Sequence, residues 1–471
     1  MQVTSHINLM DSGKKPTDWT FSDEGQDLKF KTGLALTGLS HRITLYDKIS
    51  LYQYLSVQYS MNREQTDTFS LFSPTPFPQN RFNSWQVKYS FSSTAQFISG
   101  RQSHASAGIM ADLYHVHFSD STWQEGGYRS SSLINQNVPM LRGYFEWQSQ
   151  FLEKLILTAG IYSQYMFLNG SFSPEPRLGI RWLIDKKHAL SLGYGLHSQM
   201  MPLPVYFFRT YSVSGNYSLT NKNLGFSKSN HLILSYDFKI NENIRLKTEV
   251  YGQFLYQIPV RRGTNFPQYS LINFGESYNL REIDSLMNKG RGRNAGIEIT
   301  MERFFNRNYY WLTTLSLFDS RYTGSDGIWR PTAFDGNFIW NLLGGHEWTF
   351  HQNHTISVDI KTLFAGGKRY VPVDIGKSMQ ARRTIYDWEH AYAKKYDNFF
   401  RLDLRVGYNL NLKKVSHRFA VDLQNVTNHQ NLLIQRVDPK TGRIINDYQI
   451  GFFPMITWKM EFSIKKQRLD P

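Results

Sequence analysis

The stretch RLGIRWLIDKKHALSLGYGLHSQ, residues 177–199, decides the fold. Leu178, Ile180, Trp182 and Ile184 share one parity, and Arg177, Gly179 and Arg181 the other. After Asp185-Lys186-Lys187, the apolar set returns as Leu190, Leu192, Tyr194 and Leu196, opposite Ser191, Gly193, Gly195 and His197. Successive side chains of a strand point to opposite faces, so this reads as a hairpin with one greasy side and one wet side. The greasy side must lie against a protein core or against lipid.

The pattern recurs along the chain. Leu232, Leu234, Tyr236, Phe238 and Ile240 lead into turn 241–243, and Ile244, Leu246, Thr248, Val250, Phe254 and Tyr256 continue their face against Arg245, Lys247, Glu249 and Gln253. Ile356, Val358, Ile360 and Phe364 oppose Thr355, Ser357, Asp359 and Lys361. Leu402, Leu404, Val406, Tyr408, Leu410 and Leu412 oppose Arg401, Asp403, Arg405, Gly407, Asn409 and Asn411. A soluble sandwich also alternates. Its strands average about 5–6 residues, however, whereas membrane strands need about 9–11, and these greasy faces run that far unbroken. The connections also alternate in length. Short ones are expected near 47–48, 94–103, 153–154, 185–187, 241–243, 305–308, 351–353 and 412–416. Long ones are expected near 61–83, 119–140, 199–230, 257–292, 322–335, 367–398 and 426–451, with a shorter member at 168–173.

Short turns at one end and long loops at the other mark an outer-membrane barrel. Lipid offers no partner for a backbone N–H or C=O, so β-structure there must close on itself. The expected fold class is therefore all-β: a transmembrane antiparallel β-barrel of about 16–18 strands, with short periplasmic turns and long extracellular loops. Residues 27–463 are assigned to the barrel, 1–26 to an irregular segment and 464–471 to a tail. Trp182, Tyr194, Trp348 and Trp458 suit interfacial aromatic girdles. Segment 281–289 has the composition of a short helix within a loop.

Composition fits this reading. Of 471 residues, 15% are aromatic, and there is no cysteine, which excludes disulfides and thiol chemistry and suits an oxidising envelope compartment. No run approaches about 18 apolar residues, so no transmembrane helix is expected. The net charge is +15, but the basic residues are scattered over turns, long connections and alternating strand positions, which argues against a nucleic-acid groove. Residues 1–19 have no charged head followed by an apolar run, so no signal peptide is expected there.

Several stretches, LGYGLHSQMMPLPVYF (192–207), NKGRGRNAGIEITMERFF (288–305), LFDSRYTGSDGIWRPTAFDGNFIWNLLGG (317–345), VDLQNVTNHQNL (421–432) and TGLSHRI (37–43), resemble the C-terminal barrel of TonB-dependent outer-membrane receptors. The nearest subgroup carries a carboxypeptidase-regulatory-like β-domain ahead of its plug. The resemblance implies a twenty-two-stranded barrel plugged by an N-terminal domain, ligand binding at extracellular loops and plug apex, and opening driven by TonB. This chain departs from that pattern. It shows no signal peptide, TonB box or plug and about four strands fewer, so the expected function is the barrel part of a receptor for a scarce solute, such as an iron–siderophore, another metal chelate or a cofactor. A free-standing passive porin is the alternative. The family's terminal aromatic assembly signal falls on Trp458, Met460 and Phe462, with nine residues following Phe462. Implied partners are outer-membrane lipid, lipopolysaccharide and the assembly machinery, with TonB engaged only through an absent N-terminal part.

No catalytic or metal centre is expected, nor a cofactor. His115 and His117 form a two-imidazole pair without an evident third ligand. His197 and Gln199 end a strand before a proline-containing loop. Asn425-Val426-Thr427 matches a glycosylation sequon, Gly290 and Gly292 lack a phosphate-loop context, and Ser198 lacks a nucleophile elbow. The candidate lumen-lining residues are Arg177, Arg181, Arg245, Lys247, Glu249, Arg401, Asp403 and Arg405. They are read as cross-strand ion pairs, a selective lining, or both. No residue is assigned to substrate.

Overall fold

The computed structural model describes residues 2–462 except 9–25, 47, 71–72, 101, 125–126, 265, 276–283, 382–383 and 439–440. One antiparallel sheet of 19 strands dominates it. The strands are β1 (Gln2–Asn8), β2 (Gln26–Tyr46), β3 (Ile49–Ser70), β4 (Ser73–Ser99), β5 (Ser103–Gln124), β6 (Gly127–Phe151), β7 (Leu155–Met166), β8 (Ser171–Leu183) and β9 (His188–Gln199). There follow β10 (Ser227–Lys239), β11 (Ile244–Arg261), β12 (Leu286–Asn306), β13 (Tyr309–Thr323), β14 (Trp329–Pro331), β15 (Phe338–Phe350), β16 (His354–Ala365), β17 (Phe399–Asn411), β18 (Val415–Gln424) and β19 (Phe453–Phe462). Each pairs with its neighbours in sequence. The short β14 and the longer β15 share one place beside β13, so the wall has eighteen positions.

The faces follow the alternation. Trp182 lies opposite Leu190 and Ile180 opposite Leu192, while Arg181 faces Ser191. The apolar residues stay exposed across many strands: Leu39 is 75% exposed, Phe254 60% and Leu192 46%. A belt of this extent on a water-soluble protein would far exceed a normal apolar patch. Facing hydrocarbon, it is the stabilising surface. Trp348, Ile356, Tyr408, Phe419 and Trp458 fall in one cross-strand row near the short turns. Trp458 stacks on Phe419 at 6.2 Å. Trp182 lies one residue from its strand end, whereas Tyr194 sits in mid-strand with its hydroxyl donating to Asn230 at 2.9 Å.

The short connections require special backbone. Leu152-Glu153, Arg307-Asn308 and His351-Gln352 all have positive φ at two successive residues, the mark of the type I′ turn whose twist matches a hairpin. Asn306 and Tyr309 pair directly across the second. At the other end, β9–β10, β11–β12, β13–β15, β16–β17 and β18–β19 are joined by long segments, 200–226, 262–285, 324–337, 366–398 and 425–452.

Three expectations change. Segments 61–83 and 119–140 are not loops: strand continues to Ser70 and from Ser73, and to Gln124 and from Gly127. These arms are polar because they run past the hydrocarbon, not because they leave the ladder. A strand of 27 residues spans roughly 80–90 Å at about 3.3 Å per residue, against a core of about 30 Å. Second, within 1–26, Gln2–Asn8 forms β1, paired with Asp27–Gly33, because the β2 edge offers unpaired backbone groups to the chain beside it. Third, Leu286–Lys289 belong to β12 rather than a helix. Their alternation fits the ladder beside Arg261 and Pro259. Residues 281–283 and 464–471 lie outside the described residues. Among the described residues, no strand pairs with Ala35–Tyr46 on the outer side of β2 or with the outer edge of β19.

The absence of cysteine permits a direct test of orientation. With Val213→Cys in segment 200–226 and Lys186→Cys in a short turn, an impermeant maleimide on intact cells should label position 213 and spare 186; the reverse pattern would invert the barrel.

Candidate functional site

The face opposite the apolar belt is charged, and three of its carboxylates are deeply buried. Asp112, Glu175 and Asp237 are 4%, 2% and 5% exposed. A buried carboxylate is tolerated only when paired and hydrogen-bonded. Each of these is. Asp112 on β5 meets Lys88 on β4 at 3.3 Å and Arg142 on β6, and accepts from Ser90 Oγ at 2.6 Å. Glu175 on β8 accepts from Gln164 Nε2 at 2.9 Å, from the Ser198 amide at 3.1 Å and from Ser198 Oγ at 2.6 Å, and pairs with Arg177 at 3.3 Å. Asp237 on β10 takes two hydrogen bonds from Arg245, 2.7 and 2.6 Å, with Arg181 at 3.5 Å. Arg245 reaches on to Glu302 at 3.3 Å, and Lys247 pairs with Glu249 at 2.7 Å.

Cross-strand register puts all eight candidate residues on the face that carries Glu175 and Asp237. Arg181 and Arg245 meet at Asp237. Arg401 pairs with Asp403 at 2.8 Å and Arg405 with Asp422 at 3.0 Å. The two groups are not brought together by any contact among the described residues. Sequence reasoning passed over Asp112, Arg142, Glu175 and Asp237. The available signal was parity: Glu175 is two residues before Arg177, and Asp237 sits opposite Lys247. His197 also faces inward, its ring 4.6 Å from that of His231.

His115 and His117 lie on the outward face. Trp85 stacks on the His117 ring at 5.3 Å, and His115 Nδ1 contacts Asn137 at 2.7 Å. Among the described residues no group of three metal-ligating side chains occurs. The sequon-like Asn425 is 2% exposed and shapes a turn, its amide donating to the His429 carbonyl at 3.0 Å. Trp458, Met460 and Phe462 project outward from β19 and are exposed.

Segment 200–226 folds inward instead of outward. Its Leu203–Tyr206 helical turn and flanking Met201 and Phe207 pack on Tyr114, Val116, Val138, Met140 and Met166, all from the inward face of β5–β7. This is the largest buried apolar cluster among the described residues, and it roofs one end of the lumen. Asn221 anchors it, donating to the Val205 carbonyl at 3.1 Å and accepting from the Leu286 amide at 2.8 Å. Asn169 and Asn288 hold its far end through Leu224 and Gly225. Neighbouring segments then lock in series. The Ser325 amide donates to Pro267 at 2.7 Å, Arg369 pairs with Asp335 at 3.0 Å, and the Val437 amide donates to Thr384 at 3.3 Å. Gly324 and Gly366 permit backbone contact between segments: a Cβ at 324 would overlap the Pro267 carbonyl oxygen, and one at 366 that of Gly336.

Comparison places this arrangement among known folds. No protein-family model and no curated protein matches the sequence. Solved structures match along nearly the whole chain. The ferric-catecholate import receptor Fiu of Escherichia coli gives a TM-score of 0.62 at 10% identity, covering 94% of this chain and 65% of that one. The ferric yersiniabactin uptake receptor FyuA of Yersinia pestis gives 0.64 at 10%, covering 94% and 63%. The ferric preacinetobactin receptor BauA of Acinetobacter baumannii gives 0.60 at 12%, covering 92% and 63%. The fold is thus that of outer-membrane receptor barrels, and the chain spans less than two thirds of these receptors.

Two outcomes test the roof. Gly324→Ala should part segments 262–285 and 324–337 at a cost of about 1–3 kcal/mol, seen as faster protease cleavage in both segments with the barrel intact. Tyr206 is fully buried, and burial pushes its hydroxyl up to about 12. An unfolded tyrosine ionises near pH 10, so between about pH 10 and 12 the unroofed state binds fewer protons and stability falls as pH rises, by up to about 1.4 kcal/mol per unit. Proteolysis of 200–226 should accelerate over that window, and Tyr206→Phe should remove this part of the alkaline sensitivity.

Proposed function

We propose that the chain forms most of the barrel of a TonB-dependent outer-membrane receptor, in the subgroup with a carboxypeptidase-regulatory-like domain. Its function is energised uptake of a scarce solute, such as an iron–siderophore, another metal chelate or a cofactor. One observation carries the reading: over a charged inward face, the long segments fold in and lock to one another. Such a mouth must be opened against its own packing, which suits a transporter that spends energy and not a hole that solutes cross by diffusion. The fold shared with import receptors supports it.

On this reading the plug and TonB box lie outside this chain, and further strands meet the edges of β2 beyond Leu34 and of β19, with which no strand pairs among the described residues. The exposed outward aromatics of β19, ending at Phe462, serve as the signal for the barrel-assembly machinery. The charged inward face contacts the plug and lines the path of the solute, and outer-membrane lipid with lipopolysaccharide surrounds the belt. A passive porin-like channel is the second reading. The infolded segment 200–226 favours it, since constricting loops are how simple pores narrow their bore.

Uptake assays separate the two. Growth on chelated iron as sole iron source should require this protein and should be lost equally when TonB is deleted. Swelling of proteoliposomes in arabinose, with cell growth indifferent to TonB, would establish the pore instead.

A further inference from the structure

Directly beneath the roof lies a hollow of about 300 Å³, within the size range of small-ligand sites. It is bounded by Arg142, Tyr162, Glu175, Arg177, His197 and Met200. Its charges do not balance within the wall. Lys88 and Arg142 share the single carboxylate of Asp112, while Arg177 has Glu175. Three cations therefore meet two carboxylates.

The donors are also incompletely used. Arg142 gives one end of its guanidinium to Asp112 and also hydrogen-bonds the Tyr162 hydroxyl, while its Nε is buried without a hydrogen-bond partner. A buried charged donor left unpaired keeps its desolvation penalty without compensation. Arg177 gives one nitrogen to Glu175 and remains 45% exposed at its side chain, with its guanidinium 5.2 Å from the Tyr162 ring centre. That ring holds the fork flat and oriented. The carboxylates, by contrast, are saturated. One Glu175 oxygen accepts from Gln164 and twice from Ser198, so the hollow offers a cation little and an anion several donors. Planar forks of this kind match carboxylate and phosphate oxygens in pairs.

We propose that the hollow walled by Arg142, Arg177 and Tyr162 is an oxyanion subsite, taking a carboxylate or phosphate group of a solute held under the roof. It deepens the receptor reading and rests on it for the claim that the solute is cargo. Binding to the wall itself needs no TonB.

The test is calorimetric titration of the folded, detergent-solubilised chain at low ionic strength, with citrate and inorganic phosphate as separate probes. Saturable binding of citrate alone assigns a carboxylate subsite, and binding of phosphate alone a phosphate subsite. Arg142→Gln and Arg177→Gln should each weaken the bound probe by about tenfold or more, as loss of a charge-assisted contact does. Arg142→Lys should weaken it less, and Lys186→Gln, at a distant turn, should leave it unchanged. Heat-modifiable migration of each variant reports whether its barrel has formed. No binding of either probe by the folded wild type, or equal binding by both glutamine variants with intact barrels, overturns the subsite. A failed titration with uptake still dependent on TonB removes only the subsite; TonB-independent uptake with a successful titration removes only the receptor reading.

Discussion

Every amide and carbonyl that enters hydrocarbon must find its partner in the protein, because the solvent there supplies none. That constraint sets the unbroken antiparallel order of the strands and, at one end of the wall, the tight turns that return a strand beside its predecessor. It also explains why the chain tolerates positive φ at Arg307, Asn308, His351 and Gln352. A turn that splayed its strands would leave ladder groups unpaired where they cost several kcal/mol each.

With the ladder fixed, the two faces are free to diverge. The outward face gains stability from solvation by lipid and needs no interlocking. The inward face must satisfy charge, and it does so through buried carboxylates that each gather donors from two or three neighbouring strands. Asp237 joins Arg181 of β8 to Arg245 of β11 across β10. Glu175 binds β7, β8 and β9 through Gln164, Arg177 and Ser198. These carboxylates fix the positions of the arginines, and the arginines present what remains of their donors to the lumen.

The fold was legible in the sequence wherever one face was purely apolar. Residues 177–196 and 401–412 alternate so cleanly that strand, face and turn follow from parity alone. Legibility fell where polar residues interrupt the alternation. The arms at 61–83 and 119–140 carry polar residues on each side, and their inward apolar residues, Phe82, Ile134, Val138 and Met140, pack under a distant segment, so local composition did not separate a strand from a loop. Glu175 was hidden for a related reason: Pro174 and Pro176 flank it and suggest a connection, yet both prolines sit in a strand whose other face supplies the buried carboxylate. The roof left a trace that was not used. Met200, Met201, Leu203, Val205, Tyr206, Phe207 and Phe208 form too apolar a run for a solvated loop. Which surface such a run covers depends on inward residues of β5–β7, distant in sequence, and no local pattern encodes that.

The serial locking of the mouth limits how this protein can change over generations. Pro267 accepts from Ser325, Asp335 holds Arg369, and Thr384 holds Val437, so every segment is shaped by the one beside it. A mutation that suits a new solute in one segment disturbs a neighbour that did not change. Diversification must then proceed by compensated pairs, or by exchange of the whole mouth as a block on a conserved wall, and a graft of one segment from a relative would arrive without the contacts that shape it.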